Sequence, residues 1–273
     1  MPAKNAEKHV KLAALSTLLS LPRSSELIVV NDGSIDQTIT RLSAIHDSRL
    51  RVLDNPGKGL VDALNFGIES CRGDFVARMD ADDICMPWRF FLQLRMMKRR
   101  PDLSFLFSTV IAFGKPLLPF GIVPQLPWSL GPTEFAWVLR RRNPAAHPTM
   151  IARSLAIRSI GGYAEGPAED EDLWLRASIA NHRLARHWVP VLALRLHAAQ
   201  TTRQKEWRAL LDKDTRIPAL RCELNVATRS LRLRETAMLK GLNYLDAHGF
   251  RAFRNLGPAL KTAMYRRRNR ENL

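Results

Sequence analysis

Residues 76–89 read VARMDADDICMPWR, and they join an apolar run, three clustered carboxylates and a helix start. The apolar residues before Asp80 are typical of a buried strand, and Pro87 suits the first turn of a helix. Asp80, Asp82 and Asp83 fall within four positions. Carboxylates this close repel one another unless a positive group lies among them. The stretch therefore predicts a strand, an acidic loop that needs a cation, and a helix.

The same order of strand, polar loop and helix occurs twice earlier in the chain. Residues 26–30 form a β-rich run that ends at Asp32 in a turn signal, with a helix expected over 36–45. Residues 51–53 form a second strand, followed by a Pro- and Gly-rich breaker and a helical pattern over 60–71. Three such units, roughly 25 residues apart, predict an α/β fold with a doubly wound, mostly parallel sheet flanked by helices.

Ligands of such sheets bind beyond the carboxyl ends of the strands, so Asp32 and Asp80 should converge on one crevice. Past residue 100 we expect strands over 103–113, 148–151 and 184–196, and helices over 133–142 and 169–180. From residue 201 onward the pattern is mostly of helices rich in arginine. The chain thus divides into a domain over 1–200 and a basic helical C-terminal extension over 201–273.

Composition limits the class of protein. The extension holds 17 Lys and Arg against 7 Asp and Glu, and so carries +10 of the formal net charge of +16. The three cysteines form no CxxC pair, which favours a reducing, cytoplasmic compartment over a disulfide framework. The first twenty residues lack the pattern of a signal peptide. The most apolar region, 103–130, is broken by Lys115 and prolines and is too short to span a membrane.

Two acidic clusters carry the chemistry. Asp80-Ala81-Asp82 is a DxD pattern, which can share Mg²⁺ or Mn²⁺ with phosphate oxygens; the alternative is a solvated loop, or a helix cap supplied by Asp83. The run of acids from Glu169 to Asp172 opens an apolar helix. A carboxylate held there can act as a general base, and the alternative is a charged first turn that only caps the helix.

These clusters, in this order, resemble the family 2 glycosyltransferases of the GT-A fold. Four stretches carry the resemblance over about residues 1–202. They are ELIVVNDGSIDQT, NPGKGLVDALNFGIESCRGDFVARMDADDICMPWRFFLQ, NPAAHPTMIARSLAIRSIGGYAEGPAEDEDLWLRAS and RLHAAQTT. The resemblance implies an inverting, metal-dependent enzyme that moves a sugar from a nucleotide-diphosphate sugar to an acceptor hydroxyl, in cell-wall or surface polysaccharide synthesis.

The resemblance also implies roles on the donor side. Asp32 would contact the nucleotide base, Asp80 the ribose or the metal, and Asp82 the Mn²⁺ or Mg²⁺ on the pyrophosphate. His197 would be a further metal or pyrophosphate contact, or else a surface histidine. Lys58 and Arg78 are candidate contacts of the diphosphate or nucleotide, or else solvated charges.

On the acceptor side, the resemblance makes Asp170 the base that deprotonates the acceptor hydroxyl. Glu169 and Trp174, in the same block, are placed beside the acceptor. His147 lines the acceptor side, or is a hydrogen-bonded structural histidine. The acceptor itself would be a glycan or a lipid-linked sugar.

The start of the chain departs from the family pattern. Members begin with a complete strand and then a turn that contacts the nucleotide base. Here that turn is assigned to Pro2 through Asn5, with Lys4 where an aromatic residue is usual, and the first strand is read as missing. We interpret this as a start codon assigned too far downstream, with a damaged or divergent member as the alternative.

Three interpretations of the basic tail compete: an anionic membrane surface, nucleic acid, or plain solvation. We favour peripheral association with the inner face of the plasma membrane, because no nucleic-acid motif accompanies the charge. Two other functions remain open for the whole chain. One is a sugar nucleotidyltransferase, and the other is a non-catalytic protein that binds nucleotide sugars or acts as a scaffold.

Overall fold

The computed structural model describes residues 1–114, 129–196 and 205–228. The strands are β1 Pro2–Ala3, β2 Leu27–Asn31, β3 Leu50–Asp54, β4 Phe75–Ala77, β5 Ile84–Cys85, β6 Phe105–Gly114, β7 Ile151–Arg153 and β8 Leu184–Leu196. The helices are α1 Val10–Ser20, α2 Thr38–Ser43, α3 Leu60–Ser70, α4 Arg89–Arg99, α5 Pro132–Leu139, α6 Ser154–Ser159, α7 Glu169–Ile179, α8 Lys205–Lys213 and α9 Arg216–Ala227. No helix in these ranges is long and apolar enough to cross a membrane.

The strands form two sheets. β1, β2 and β3 are parallel and adjacent in that order. The second sheet has the order β4-β7-β6-β8-β5, and in it only β6 and β8 run parallel. The predicted α/β class, with its parallel strands and crossover helices, is confirmed. The antiparallel pairs of the second sheet were not predicted, because strand direction there depends on contacts between residues about 50 to 110 positions apart.

The first strand is short but present. Pro2 and Ala3 pair in parallel with Val30 and Asn31, and the N–H of Val30 donates to the carbonyl of Met1 at 2.9 Å. The sequence assigned this stretch to a turn that follows a missing strand. In the structure the strand occupies Pro2–Ala3 and the turn follows it at Asn5, whose φ of 48° is left-handed.

The strand predicted over 148–151 begins later than expected. His147–Thr149 form a 3-10 turn with Pro148 in its first positions, and β7 follows at Ile151. Proline cannot donate to a strand ladder but fits the start of a helical turn, which explains the shift. His147 is thereby held at a tight turn instead of in a strand.

A hydrophobic cluster fixes the acidic loop beside β1. Ala81, the middle residue of the DxD pattern, packs with Ala3, Val10 and Val29. Its methyl group therefore faces the core while the carboxylates on either side are partly exposed. Since Ala3 ends β1 and Val29 belongs to β2, this contact places the DxD loop near the carboxyl ends of the parallel strands.

The chain divides into two compact units, Met1–Arg229 and Ser230–Leu273. The second lies outside the described residues. Helix α9 belongs to the first unit, where it packs against α7. The contact boundary thus falls near residue 229, whereas the sequence placed a domain boundary after residue 200; a functionally separate C-terminal domain stays a prediction.

Candidate functional site

Asp32, directly after β2, is buried and accepts from three donors. One carboxylate oxygen accepts from the Nδ2 of Asn55 at 2.9 Å and from the N–H of Gly59 at 2.8 Å. The other pairs with the Nζ of Lys4 at 3.0 Å. Burial alone would raise the pKa of Asp32, but these donors lower it below the ordinary value. Asp32 is therefore a fixed anion at the edge of the sheet.

The loop after β3 is shaped around Asp32. Gly59 has a φ of 95°, a conformation that side chains with a Cβ rarely adopt, and it turns its N–H onto the Asp32 carboxylate. Lys58, next to it, is exposed, and its own N–H donates to Asp62 at 2.9 Å. The loop thus presents the Lys58 side chain to solvent near Asp32, where the sequence expected a contact with an anionic ligand.

The three aspartates after β4 converge. Oxygen atoms of Asp80, Asp82 and Asp83 all lie within 4.8 Å of one another. Asp83 is buried, and one of its oxygens accepts from the N–H of Arg195 in β8 at 2.7 Å. Helix α4 has no side-chain cap, so the alternative role of Asp83 as its cap is not observed. Asp83 instead ties the loop to β8.

The same cluster suits a divalent cation. The second oxygen of Asp83 is buried and has no hydrogen-bond partner. Burial, together with the charges of Asp80 and Asp82, raises the pKa of Asp83 to about 8. An oxygen-only set of two partly exposed carboxylates and one buried, unsatisfied oxygen matches the ligands that Mg²⁺ and Mn²⁺ take. The residues present fit the predicted metal, with Asp83 as an additional ligand candidate.

Arg78 is a buried cation beneath this loop. Its Nη1 pairs with the Oδ2 of Asp80, and its Nε has no hydrogen-bond partner. Burial would lower the pKa of Arg78, but the carboxylate of Asp80 raises it, so the guanidinium stays charged. The sequence offered a nucleotide contact or a solvated surface charge. Burial excludes the solvated charge and gives Arg78 a defined role in orienting Asp80.

Asp170 lies in the first turn of α7, within a pocket of donors. Its Oδ2 accepts from the Nδ2 of Asn143 at 2.9 Å, and its Oδ1 accepts from the N–H of Glu171 at 2.7 Å. Burial raises the pKa of Asp170, although these hydrogen bonds and the charge of Arg78 oppose the rise. A carboxylate held at fixed geometry with a raised pKa has the properties of a general base.

Glu169, which precedes Asp170 in the chain, lies beside the ring of His147. Burial, and then the charge of Asp170, raise the pKa of Glu169 to about 7. Burial and Arg78 lower the pKa of His147 well below its ordinary value, so its ring is neutral. The Nε2 of His147 lies 2.7 Å from the hydroxyl of Tyr163, and its Nδ1 lies 3.8 Å from Glu169. His147 is thus a buried, hydrogen-bonded residue at the edge of the site.

The prediction that Trp174 lies beside the acceptor is wrong. Its side chain is fully buried and packs edge-to-face against two rings, with ring centroids 4.6 Å apart for Phe107 and 5.7 Å apart for His147. An indole with no exposed surface cannot contact an acceptor. Trp174 supports the ring of His147 from below, and the sequence missed this because burial of one helix face is not evident from the acidic first turn alone.

The four acids of α7 divide into two pairs. Glu171 pairs with Arg221 of α9 at 2.5 Å. Asp172 is buried and pairs with Arg176 at 2.6 Å and with Arg216 of α9 at 3.1 Å. These two acids are neutralised by arginines and anchor α9. Glu169 and Asp170 have no arginine partner within salt-bridge distance in the described part of the chain, so these two acids of α7 stay candidates for a chemical role.

Replacing Asp172 by Ala should destabilise the fold by about 3 kcal/mol, because it leaves two arginines without their buried counter-charge. Urea unfolding followed by circular dichroism measures this. Asp102→Ala is the matched control, since Asp102 pairs with Arg100 and Arg183 at the surface and should cost less than about 1 kcal/mol. Equal losses in the two variants would show that Asp172 is not a structural anchor.

The structure brings together most of the predicted site residues. The charge of Asp80 contributes to the raised pKa of Glu169, so the DxD loop lies within electrostatic reach of the start of α7. Pro2 lies within β1, and the side chain of Asn5 accepts from the N–H of Ile35 at 3.0 Å. His197 lies outside the described residues. Asn55, Asn143 and Tyr163 were missed, because their importance comes only from the side chains they contact.

Comparison with known proteins relates the chain to glycosyltransferases. Residues 1–125 match the family described as "Glycosyl transferase family 2". The chain is 27% identical over 228 residues to the amylovoran biosynthesis glycosyltransferase AmsE of Erwinia amylovora, covering 81% of this chain and 79% of AmsE. It is 32% identical over 163 residues to an Escherichia coli UDP-Gal:alpha-D-GlcNAc-diphosphoundecaprenol beta-1,3-galactosyltransferase. That match spans 57% of each protein, a little over half.

A solved structure shares the fold. Residues 1–349 of S. aureus TarS, in complex with UDP-GlcNAc, superpose with a TM-score of 0.63 at 15% identity, over 88% of this chain and 76% of TarS. Identity at this level concerns the fold alone, and the shared fold is of the GT-A type. Residues 1–125 therefore match glycosyl transferase family 2, and the described chain is similar in fold to TarS.

Proposed function

We propose that the protein transfers a sugar from a nucleotide-diphosphate sugar to an acceptor hydroxyl by a single, inverting displacement, in the synthesis of a surface or cell-wall polysaccharide. The observation that supports this is Asp170, a carboxylate held by Asn143, whose pKa is raised by burial, a rise that the charge of Arg78, the partner of Asp80, opposes. A base on one side of a crevice and a metal-suited cluster on the other is what such a displacement requires.

The donor side is formed by the carboxyl ends of the strands. Asp32 is an oriented acceptor for donors of a nucleotide base, and Lys58 offers a charge for the diphosphate. Asp82, Asp80 and Asp83 would hold Mn²⁺ or Mg²⁺. When bound, this ion would offset the negative charge that develops on the departing diphosphate. Arg78 fixes Asp80 from below, so that the loop keeps one orientation as a ligand arrives.

The acceptor side is formed by the first turn of α7. Asp170 accepts the proton of the acceptor hydroxyl as that oxygen attacks the anomeric carbon. Asn143 holds the carboxylate in place, and the neutral ring of His147 with the hydroxyl of Tyr163 borders the position. The two curated relatives are named for amylovoran biosynthesis and for a diphosphoundecaprenol-linked acceptor, which supports a glycan or lipid-linked acceptor for this protein.

The rival function of a sugar nucleotidyltransferase predicts a different product. Sugar transfer releases a nucleoside diphosphate, whereas nucleotidyl transfer releases pyrophosphate. A panel of UDP- and GDP-sugars incubated with Mn²⁺ and a lipid-linked or glycan acceptor, with products separated by ion exchange, distinguishes the two. We expect a nucleoside diphosphate, formed faster when acceptor is present. Pyrophosphate would support the rival, and donor binding without turnover would support the non-catalytic alternative.

Association of the tail with a membrane also stays a proposal. Residues 230–273 hold the most concentrated basic segment, which ends near Arg270, and they lie outside the described residues. Their charge suits an anionic lipid surface. A cytoplasmic protein that works on the inner face of the plasma membrane is consistent with a lipid-linked acceptor.

A further inference from the structure

Helix α1 exposes a stripe of leucines. Leu12, Leu15 and Leu19 lie three and four positions apart, so they share one face of the helix. Within the described part of the chain Leu19 is 83% exposed and Leu12 is 49% exposed. Lys11, and Lys8 just before the helix, are also exposed beside this stripe. The opposite face of the helix, which includes Val10, is buried in the core. The exposed leucines therefore do not contribute to the packing of α1 against the core.

Helix α4 continues the same composition. Trp88, Phe91 and Arg95 follow the same three-and-four spacing, and Phe91 is 68% exposed. The guanidinium of Arg95 lies 5.9 Å from the centroid of the Phe91 ring. Lys98 and Arg99 are exposed in the last turn. An aromatic start and a cationic end therefore lie along one side of α4.

Two serines of α1 join it to β5 and to the start of α4. The Oγ of Ser16 accepts from the N–H of Cys85 at 3.1 Å, and the Oγ of Ser20 accepts from the N–H of Phe90 at 3.4 Å. Leu15 and Leu19 directly precede these serines, and Phe91 directly follows Phe90. The exposed stripes of α1 and α4 therefore border one seam. We call their combined surface the α1–α4 face.

The charge of the α1–α4 face has a single sign. Neither α1 nor α4 contains an Asp or a Glu. Protein–protein interfaces are depleted in lysine, whereas membrane-surface elements combine exposed Leu, Phe and Trp with Lys and Arg. Tryptophan is also enriched where protein meets the lipid headgroups. The Nε1 of Trp88 donates to the carbonyl of Pro190, and Trp188, two residues before Pro190, is a further exposed indole. The composition thus fits lipid better than protein.

We infer that the α1–α4 face lies on an anionic lipid bilayer. Leu19 and Phe91 enter the boundary between headgroups and acyl chains, while Lys11, Arg95 and Lys98 lie among the phosphates. The inference is linked to the proposed function at one point: a lipid-linked acceptor would reach the protein at this membrane surface. It places a membrane contact within the folded unit, separate from the basic tail.

Flotation of the full-length protein with vesicles tests the inference. Vesicles of phosphatidylcholine are compared with vesicles that also contain phosphatidylglycerol. Phe91→Glu should lower binding to the anionic vesicles on the order of tenfold, because it removes an apolar contact and adds repulsion. Arg95→Gln with Lys98→Gln should also lower it on the order of tenfold, and salt should weaken the parent. Leu155→Glu is the matched control, since Leu155 is 81% exposed on α6, and it should bind like the parent.

Equal binding of Phe91→Glu, Leu155→Glu and the parent would overturn the inference and assign any binding to other residues. The inference would also be overturned if Phe91→Glu only converted a dimer into a monomer, since the face would then bind a second copy. The outcome is separable from the proposed function. Phe91→Glu should keep its transfer to a short soluble acceptor, and an inactive protein that still floats through this face would reject the function alone.

Discussion

Replacing Asp170 by Asn should lower kcat by about 10²- to 10⁴-fold, the usual contribution of a positioned general base. The amide keeps the size of the carboxylate and one acceptor oxygen, for either the Nδ2 of Asn143 or the N–H of Glu171, so the fold should remain. It cannot accept the proton of the acceptor hydroxyl. Binding of the donor should change little, because in the proposed mechanism Asp170 acts on the acceptor. Steady-state transfer rates and calorimetric titration of the donor give the two quantities.

Glu165→Gln is the matched control, because Glu165 is exposed and precedes α7. It should keep the parental rate. In the parent, kcat should fall as the pH drops through the pKa of Asp170, which burial raises above its ordinary value. The base works only when deprotonated, so activity is present above that pKa and lost below it. Full activity in Asp170→Asn would exclude Asp170 as the base.

Replacing Asp82 by Asn should weaken metal-dependent donor binding by about 100-fold or more, because a neutral amide is a poor ligand for Mg²⁺ or Mn²⁺. We choose Asp82 because the resemblance assigns it to the metal, whereas the other two aspartates have evident structural contacts. Asp80 is also the counter-charge of buried Arg78, and Asp83 holds the backbone of Arg195. Titration of Mn²⁺ alone, and then of the donor with Mn²⁺, measures the loss directly.

Asp74→Asn controls for the loss of one negative charge, since Asp74 is exposed just before β4. It should bind Mn²⁺ as tightly as the parent. Excess Mn²⁺ should partly restore donor binding in Asp82→Asn, as expected when one ligand of several is lost. Unchanged Mn²⁺ affinity in Asp82→Asn would show that the aspartate loop does not hold the ion.

The strand–helix units of the first hundred residues could be predicted because their signals are local. The apolar run before Asp32, the turn residues after it and the helical spacing from Leu60 all lie within short windows. Strand β5, only two residues long, has no such signal, and it forms because Ile84 and Cys85 pair with a strand more than a hundred residues later. Short elements of this kind depend on tertiary contacts.

The site shows the same division. The acidic clusters were predictable from composition, and the resemblance assigned the base to Asp170, but the sequence did not show which acids of α7 anchor the neighbouring helix. Arg216 and Arg221 decide this, because they neutralise Asp172 and Glu171 from 44 and 50 residues away in the chain. Trp174 was misjudged for the same reason: the aromatic rings that bury it come from distant strands.

The buried guanidinium of Arg78 has a consequence for the order in which ligands enter. It pairs with Asp80, and its charge also acts on the pKa values of Asp83 and Glu169. Because the pKa of Asp83 is raised to about 8 and that of Glu169 to about 7, we expect the negative charge of the crevice to grow as the pH rises through this range, and with it the attraction of metal ions and the repulsion of a free diphosphate. A nucleotide sugar would arrive productively only with its cation, and the nucleoside diphosphate product would leave more readily once that cation dissociates.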